Sequence, residues 1–168
     1  MNIIEHLIEK DVRNNSAWNQ RYFHISNTNN VSDIKTINDE LNYCKQKLLI
    51  CMDNESVWNY LKAFVRNVDR YPQDFVNFCF EQYSSSKDDE KSPFLCSFLV
   101  DYHESEINEI IKNLSKNEGD EMKAKLSNHF SKAMELLDLL RTKYDIMREK
   151  YWVYIRDKME NKYKSYIN

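Results

Sequence analysis

The 168-residue sequence predicts an all-α fold built as a solenoid of stacked helical hairpins, and three observations predict it. The first is an internal repeat. Asn14-Asn15-Ser16-Ala17-Trp18-Asn19 returns forty residues later as Asn54-Glu55-Ser56-Val57-Trp58-Asn59, with Asn four before Trp, Ser two before and Asn one after. A period of that size marks an array of helical hairpins, each unit too small to bury its apolar face alone. The second is punctuation: the whole chain has one Gly and two Pro, too few to break it into many short strands and tight turns. The third is periodicity. Ile34, Ile37, Leu41, Cys44, Leu48 and Cys51 step by three and four, the apolar stripe of a long amphipathic helix.

The remaining elements follow in order. Ile3, Ile4, Leu7 and Ile8 make a short apolar helix face over residues 3–10, ahead of a turn at Asp11–Asn14. Asn14 or Asn15 starts the next helix, because an Asn side chain accepts a bond from an orphan backbone N–H. Trp18, Tyr22 and Ile25 then share one face. Residues 26–33 read as a polar loop, followed by the long helix from Ile34. Asn54 caps a helix that buries Trp58, Leu61 and Val65, and Glu55 in its first turn suits the positive end of the helix dipole. Pro72 fits a first helical turn ahead of Phe75, Phe78 and Cys79.

Residues 84–91 are a charged, Ser-rich loop. Pro93 opens a helix through Tyr102, and a second helix is expected over 105–116, closed by Gly119 as a C-terminal cap. Asp120 begins a helix carrying Met122, Leu126, Phe130, Ala133, Leu137 and Leu140, and Ile146 to about Lys164 forms the last. About nine or ten helices result. Phe98, forty residues beyond Trp58, marks a degenerate repeat that keeps the aromatic and loses the Asn, while Trp152 is out of register. Residues 1–168 are expected to be a single domain: repeats centred on Trp18 and Trp58, the degenerate repeat at Phe98, and closing helices over 120–164.

Bulk properties exclude several classes. A net charge of −3 gives no reason to invoke nucleic acid or an anionic membrane. No stretch approaches the length of an apolar membrane span, and Asn2-Ile3-Ile4-Glu5-His6 lacks the basic start of a signal peptide. The four Cys have no paired short spacing and read as reduced, mostly buried thiols. His6, His24, His103 and His129 show no metal-ligand spacing; His103-x-x-Glu106 offers two ligands without a third, so no metal site is assigned.

The repeat signature comprises Asn14, Trp18, Asn19, Arg21, Asn54, Trp58 and Asn59, all read as structural. The two Trp fill the core between hairpins, and the two Asn at the start of each block cap helices. Arg21 has Leu61 at its place in the second repeat, so the fold does not require its charge there. It is expected either to lock a neighbouring repeat or, with Tyr22 and Tyr60, to face a partner subunit.

The pattern small-x-Asn-x-x-small-Trp-Asn-x-Arg resembles the alpha subunit of the protein prenyltransferases, the farnesyltransferase and type I geranylgeranyltransferase alpha subunit in particular. Asp11 to Phe23, Ile25 to Thr28, Asn54 to Lys62, Ser92-Pro93, Phe98 to Asp101 and Tyr151-Trp152-x-Tyr154-Ile155 carry that resemblance, in order along nearly the whole chain. It implies a right-handed alpha-alpha superhelix, a cytoplasmic location and a heterodimer with a beta subunit. It also implies prenyl transfer from an isoprenoid diphosphate to a cysteine near the C-terminus of target proteins. The zinc belongs to the beta subunit, magnesium assists, and this chain would bind no cofactor itself.

In the family, alpha-subunit repeats lend a Lys five before Trp, and a His or Tyr near the diphosphate, the His two before Trp. Here those places hold Arg13 and Ser16, then Asp53 and Ser56, so no catalytic residue is carried over. The resemblance places the chain in the C-terminal part of such a subunit, inert alone, with the diphosphate-contacting repeats upstream of it. The alternative class is a stand-alone helical-repeat interaction module without catalytic activity.

Overall fold

The computed structural model describes residues 2–29, 31–66, 70–113 and 119–167. Among them every regular element is helical, as expected, in two compact units, Met1–Glu81 and Gln82–Asn168.

The first unit contains α1 (Asn2–Lys10), α2 (Asn15–Thr28), α3 (Ile34–Ile50) and α4 (Glu55–Val65); α5 (Gln73–Ser85) begins in it and ends in the second unit. α1 packs on α2, α3 on α4, and α2 on α4, so two hairpins lie side by side. Asn14, Asp33 and Asn54 stand at the N-caps of α2, α3 and α4, each accepting a bond from a first-turn N–H. α2 continues three residues past Ile25 to Thr28, into the stretch expected to be loop. Polar side chains there turn inward on their own helix: Asn27 and Thr28 donate to the carbonyls of Phe23 and His24. The α3 stripe is buried at Ile37, Leu41, Cys44 and Leu48, while Ile34 at its start is exposed.

The second unit contains α6 (Pro93–Asn113), α7 (Gly119–Leu139) and α8 (Glu149–Ile167). α6 replaces the two helices expected over 93–102 and 105–116, since nothing between Phe94 and Asn113 breaks a helix; residues 114–116 of that expectation lie outside the described residues. Eight α-helices are therefore described where about nine or ten were expected. Gly119 is the first residue of α7, and no described Gly has positive φ, so the expected C-terminal cap role does not hold.

Between α7 and α8 the chain widens into one π-helical turn, Leu140–Tyr144, and then tightens into a 3-10 turn, Ile146–Arg148. The Asp145 N–H reaches back to the Leu140 carbonyl at 2.8 Å. Asp145 then anchors the next helix: its Oδ2 accepts from the Trp152 indole at 2.8 Å and from Arg148 Nε at 2.6 Å. Leu95, Phe98, Leu99, Ile107, Leu126, Leu137, Leu140, Trp152 and Met159 form the core of this unit.

Candidate functional site

The repeat signature builds one connected cluster in the first unit. Asn14 Oδ1 accepts from the Ala17 N–H at 3.1 Å, which starts α2. Four residues on, Trp18 is 1% exposed and donates its indole N–H to the Val12 carbonyl at 2.8 Å. The second repeat copies the arrangement. Asn54 Oδ1 accepts from the Ser56 N–H at 3.1 Å, and the Trp58 indole donates to the Met52 carbonyl at 2.8 Å. In both repeats the indole thus closes the turn that precedes its own helix. A buried indole N–H without an acceptor would cost about 1–3 kcal/mol, which the turn carbonyl prevents.

Asn54 does a second task. Its Nδ2 donates to the Val12 carbonyl at 2.6 Å, and Ser56 Oγ donates to the Arg13 carbonyl at 3.3 Å. The second repeat is thereby bonded to the turn of the first. Asn19 and Asn59, the other signature residues, sit exposed on α2 and α4.

Arg21 lies inside this unit, 5% exposed, in a two-pronged pair with Glu40: Nε to Oε2 at 2.8 Å and Nη2 to Oε1 at 2.9 Å. Its guanidinium lies 3.7 Å from the centre of the Tyr43 ring, and Glu5 approaches Nη1 at 3.4 Å. Tyr60 donates its hydroxyl to the same Glu40 carboxylate at 2.6 Å. Burial works against the Arg21 cation, and the Glu40 carboxylate more than offsets it, so the guanidinium is held above its ordinary value. Burial and the same carboxylate push the Tyr60 phenol well up.

Arg21 and Tyr60, offered by the sequence to an internal lock or to a partner subunit, thus meet on Glu40, with Arg21 also reaching Glu5. Tyr22 is half-buried, edge-on to Phe64 at 5.5 Å. Sequence reasoning missed Glu40. Its signal was present: Glu40 stands three after Ile37 and four before Cys44, a carboxylate inside an apolar stripe, which calls for a buried cation.

The second unit brings together two histidines that lie far apart in sequence. His103 of α6 and His129 of α7 face each other Nδ1 to Nδ1 at 2.9 Å, with His103 2% exposed. One imidazole donates and the other accepts, so the contact requires at least one neutral ring. Burial pushes His103 down to about 4, with His129 and Lys132 adding to the shift. His129 is lowered too, by burial first, against the nearby Glu106. Among the described residues no group of three or more His, Cys, Asp and Glu stands together that could hold a metal ion. Cys44, Cys79 and Cys96 are buried and Cys51 is half-buried, all as free thiols. No described helix is long and apolar enough to cross a membrane.

Residues 1–23 and 37–68, which bear the two Trp blocks, match the protein prenyltransferase alpha subunit repeat.

Alpha subunits are also what the chain resembles as a whole. It is 28% identical over 133 residues to the protein farnesyltransferase/geranylgeranyltransferase type-1 subunit alpha of Candida albicans, covering 79% of this chain and 37% of that protein. The subunit of the same name from Arabidopsis thaliana is 40% identical over 62 residues, 36% of this chain and 19% of its own length. A chain of the solved Candida albicans protein geranylgeranyltransferase-I complexed with GGPP superimposes with a TM-score of 0.68 at 26% identity, over 94% of this chain and 45% of that one. The chain thus spans less than half the length of each of these alpha-subunit relatives.

Proposed function

We propose that this chain acts as the scaffold (alpha) subunit, or as the C-terminal part of one, in a heterodimeric protein prenyltransferase. The assembly would move farnesyl or geranylgeranyl from an isoprenoid diphosphate to a cysteine near the C-terminus of target proteins, in the cytoplasm. The observation that carries this reading is the alpha-subunit repeat over residues 1–23 and 37–68, supported by the likeness that extends over 94% of the chain.

What this chain supplies in that reading is shape and surface. At the offsets from Trp where the family's upstream repeats carry their Lys and His, this chain has Arg13 and Ser16, then Asp53 and Ser56, and no catalytic residue is assigned among them. In this reading the zinc and magnesium of the assembly are held by the partner and the diphosphate. With Arg21 and Tyr60 turned inward, pairing with the partner falls to side chains the units leave exposed. Phe23 is 62% exposed beside Tyr22 on α2; Met147, in the 3-10 turn ahead of α8, is 97% exposed, and Tyr151 and Tyr154, at the start of α8, are 50% and 61% exposed. Aromatic and Met side chains of this kind are enriched where proteins meet.

Co-expression with a protein prenyltransferase beta subunit tests the proposal. The expected result is co-elution as a one-to-one complex, weakened by Phe23→Ser or Tyr154→Ser, with no prenyl transfer by the chain alone. A chain that elutes alone and monomeric in the presence of the beta subunit would overturn it and leave the stand-alone helical-repeat interaction module as the reading.

A further inference from the structure

Beside its buried stripe, α3 carries a second line of side chains on one face: Asn38, Asn42, Lys45 and Leu49, spaced four, three and four apart. The first three line a cleft of about 170 Å³ within the first unit, together with Asp74 and Phe75 at the start of α5. Asn38 and Asn42 are exposed, and neither side-chain amide has a hydrogen-bond partner among the described residues. Lys45 is half-buried, and among the described residues no carboxylate pairs with its ammonium. The ammonium instead lies 6.0 Å from the centre of the Phe75 ring and 5.9 Å from that of Phe78, so two aromatic rings hold the cation at the cleft. Leu49, at the end of the line, is 64% exposed.

We propose that this cleft binds an extended peptide segment of another protein, one that carries a single acidic residue with an apolar residue two positions away. Side chains four apart on a helix are about 6 Å apart along its axis. Alternate residues of an extended chain are about 6.6 Å apart, so peptide groups that point the same way recur at nearly that interval. An Asn amide offers one acceptor oxygen and an NH2 donor, the complement of a peptide group's N–H and C=O. Asn38 and Asn42 therefore hold two main-chain amides of a segment running along α3, Lys45 takes the carboxylate, and Leu49 meets the apolar side chain. Asp74 sets one limit: its carboxylate faces the same cleft and disfavours a run of acidic residues. Size sets another. Small-molecule and cofactor sites start at about 300 Å³, and this smaller cleft suits one side chain and the peptide groups beside it. The cleft shares no residue with the subunit contact proposed above, and the inference stands whether or not that reading holds.

The test is fluorescence polarisation of labelled eight-residue peptides titrated with the full chain. The peptides alternate Ser and Thr, with Glu, Gln or Lys at one central position and a Leu two residues to either side of it. A Glu peptide saturates at micromolar protein, its Gln counterpart binds about tenfold more weakly, and its Lys counterpart more weakly still. Lys45→Gln lowers the affinity for the Glu peptide about tenfold and leaves the Gln peptide unchanged, a split that loss of folding does not produce. Asn42→Ala weakens both peptides, and so does methylation of the peptide's backbone nitrogens. Neither side chain has a hydrogen bond to lose, so both variants keep their thermal midpoints within about 3 °C of the parent's. Glu peptides that never saturate, Glu and Lys peptides that bind equally, or binding that survives backbone methylation overturns the proposal. So does displacement of the peptide by an equal concentration of free glutarate, which would make the cleft a site for small anions only.

Discussion

The Val12 carbonyl accepts from the Trp18 indole within its own repeat and from the Asn54 amide of the next. A single backbone oxygen therefore fixes both a turn and a junction. Glu40 works similarly among side chains, receiving both prongs of Arg21 and the Tyr60 hydroxyl. Removing one member of a buried ion pair strands the other charge, at roughly 3–5 kcal/mol. Glu40→Ala is therefore expected to lower the unfolding free energy by that amount in urea titration, and the double variant Glu40→Ala/Arg21→Met to recover part of it. Arg21 was legible as a residue with a purpose because Leu61 occupies its place in the second repeat. Its partner was not, because Glu40 stands nineteen residues away on another helix and no local rule ties them.

The His103–His129 pair makes a residue-scale prediction about pH. The folded pKa of His103 lies at about 4, below the ordinary value of 6.5. The unfolded chain therefore binds more protons between those values, and stability rises with pH across that window. The contribution is complete above about pH 6.5 and is lost as pH falls towards 4, by roughly 3 kcal/mol at most. Urea titrations at pH 7 and pH 5 should show the loss in the native protein and a clearly smaller one in His103→Gln. Equal losses in both would mean that other groups carry the pH dependence.

At the scale of elements, the caps separate local from shared roles. Asn14 and Asn54 stand at equivalent places and cap equivalent helices. Asn14→Ala removes one cap and should cost about 1 kcal/mol. Asn54→Ala removes a cap and the bond to Val12 together, in a buried setting, and should cost about 2 kcal/mol or more. Chemical denaturation of the two variants measures the difference; equal costs would show that the junction bond contributes nothing.

The helices themselves were readable because apolar spacing, Asn caps and the two Pro are local signals. The exceptions are equally physical. α6 runs on where a break was expected, since polar residues in 103–113 weaken the stripe without stopping the helix. The π turn at Leu140–Tyr144 leaves no mark in composition, because one extra residue per turn changes register and not hydrophobicity.

At the scale of the whole molecule, the repeats sit in the first unit, where the sequence placed its two Trp blocks and where the alpha-subunit repeat matches. The second unit kept only Phe98 from that pattern, and its internal ties are of another kind. Tyr163 reaches Glu104 Oε1 and Asn108 Oδ1 at 2.9 and 2.8 Å, and Asp88 meets Lys143 and Tyr144. None of these pairs has a repeat spacing, so none was legible before the helices were packed. If the chain works within a heterodimer, its stability is linked to the partner. A beta subunit present at a hundred times its dissociation constant should add about 2.7 kcal/mol to unfolding, read as a midpoint that climbs with partner concentration.

The three indoles are also a built-in set of reporters. Trp18 and Trp58 belong to one unit and Trp152 to the other, and all three rings are buried with their N–H groups held. Their emission should be blue-shifted when folded and move to the red as each ring meets water. Replacing Trp152 by Phe leaves light from the first unit alone; replacing Trp18 and Trp58 leaves light from the second. A single spectrometer could then tell whether the halves of this chain melt together or one after the other.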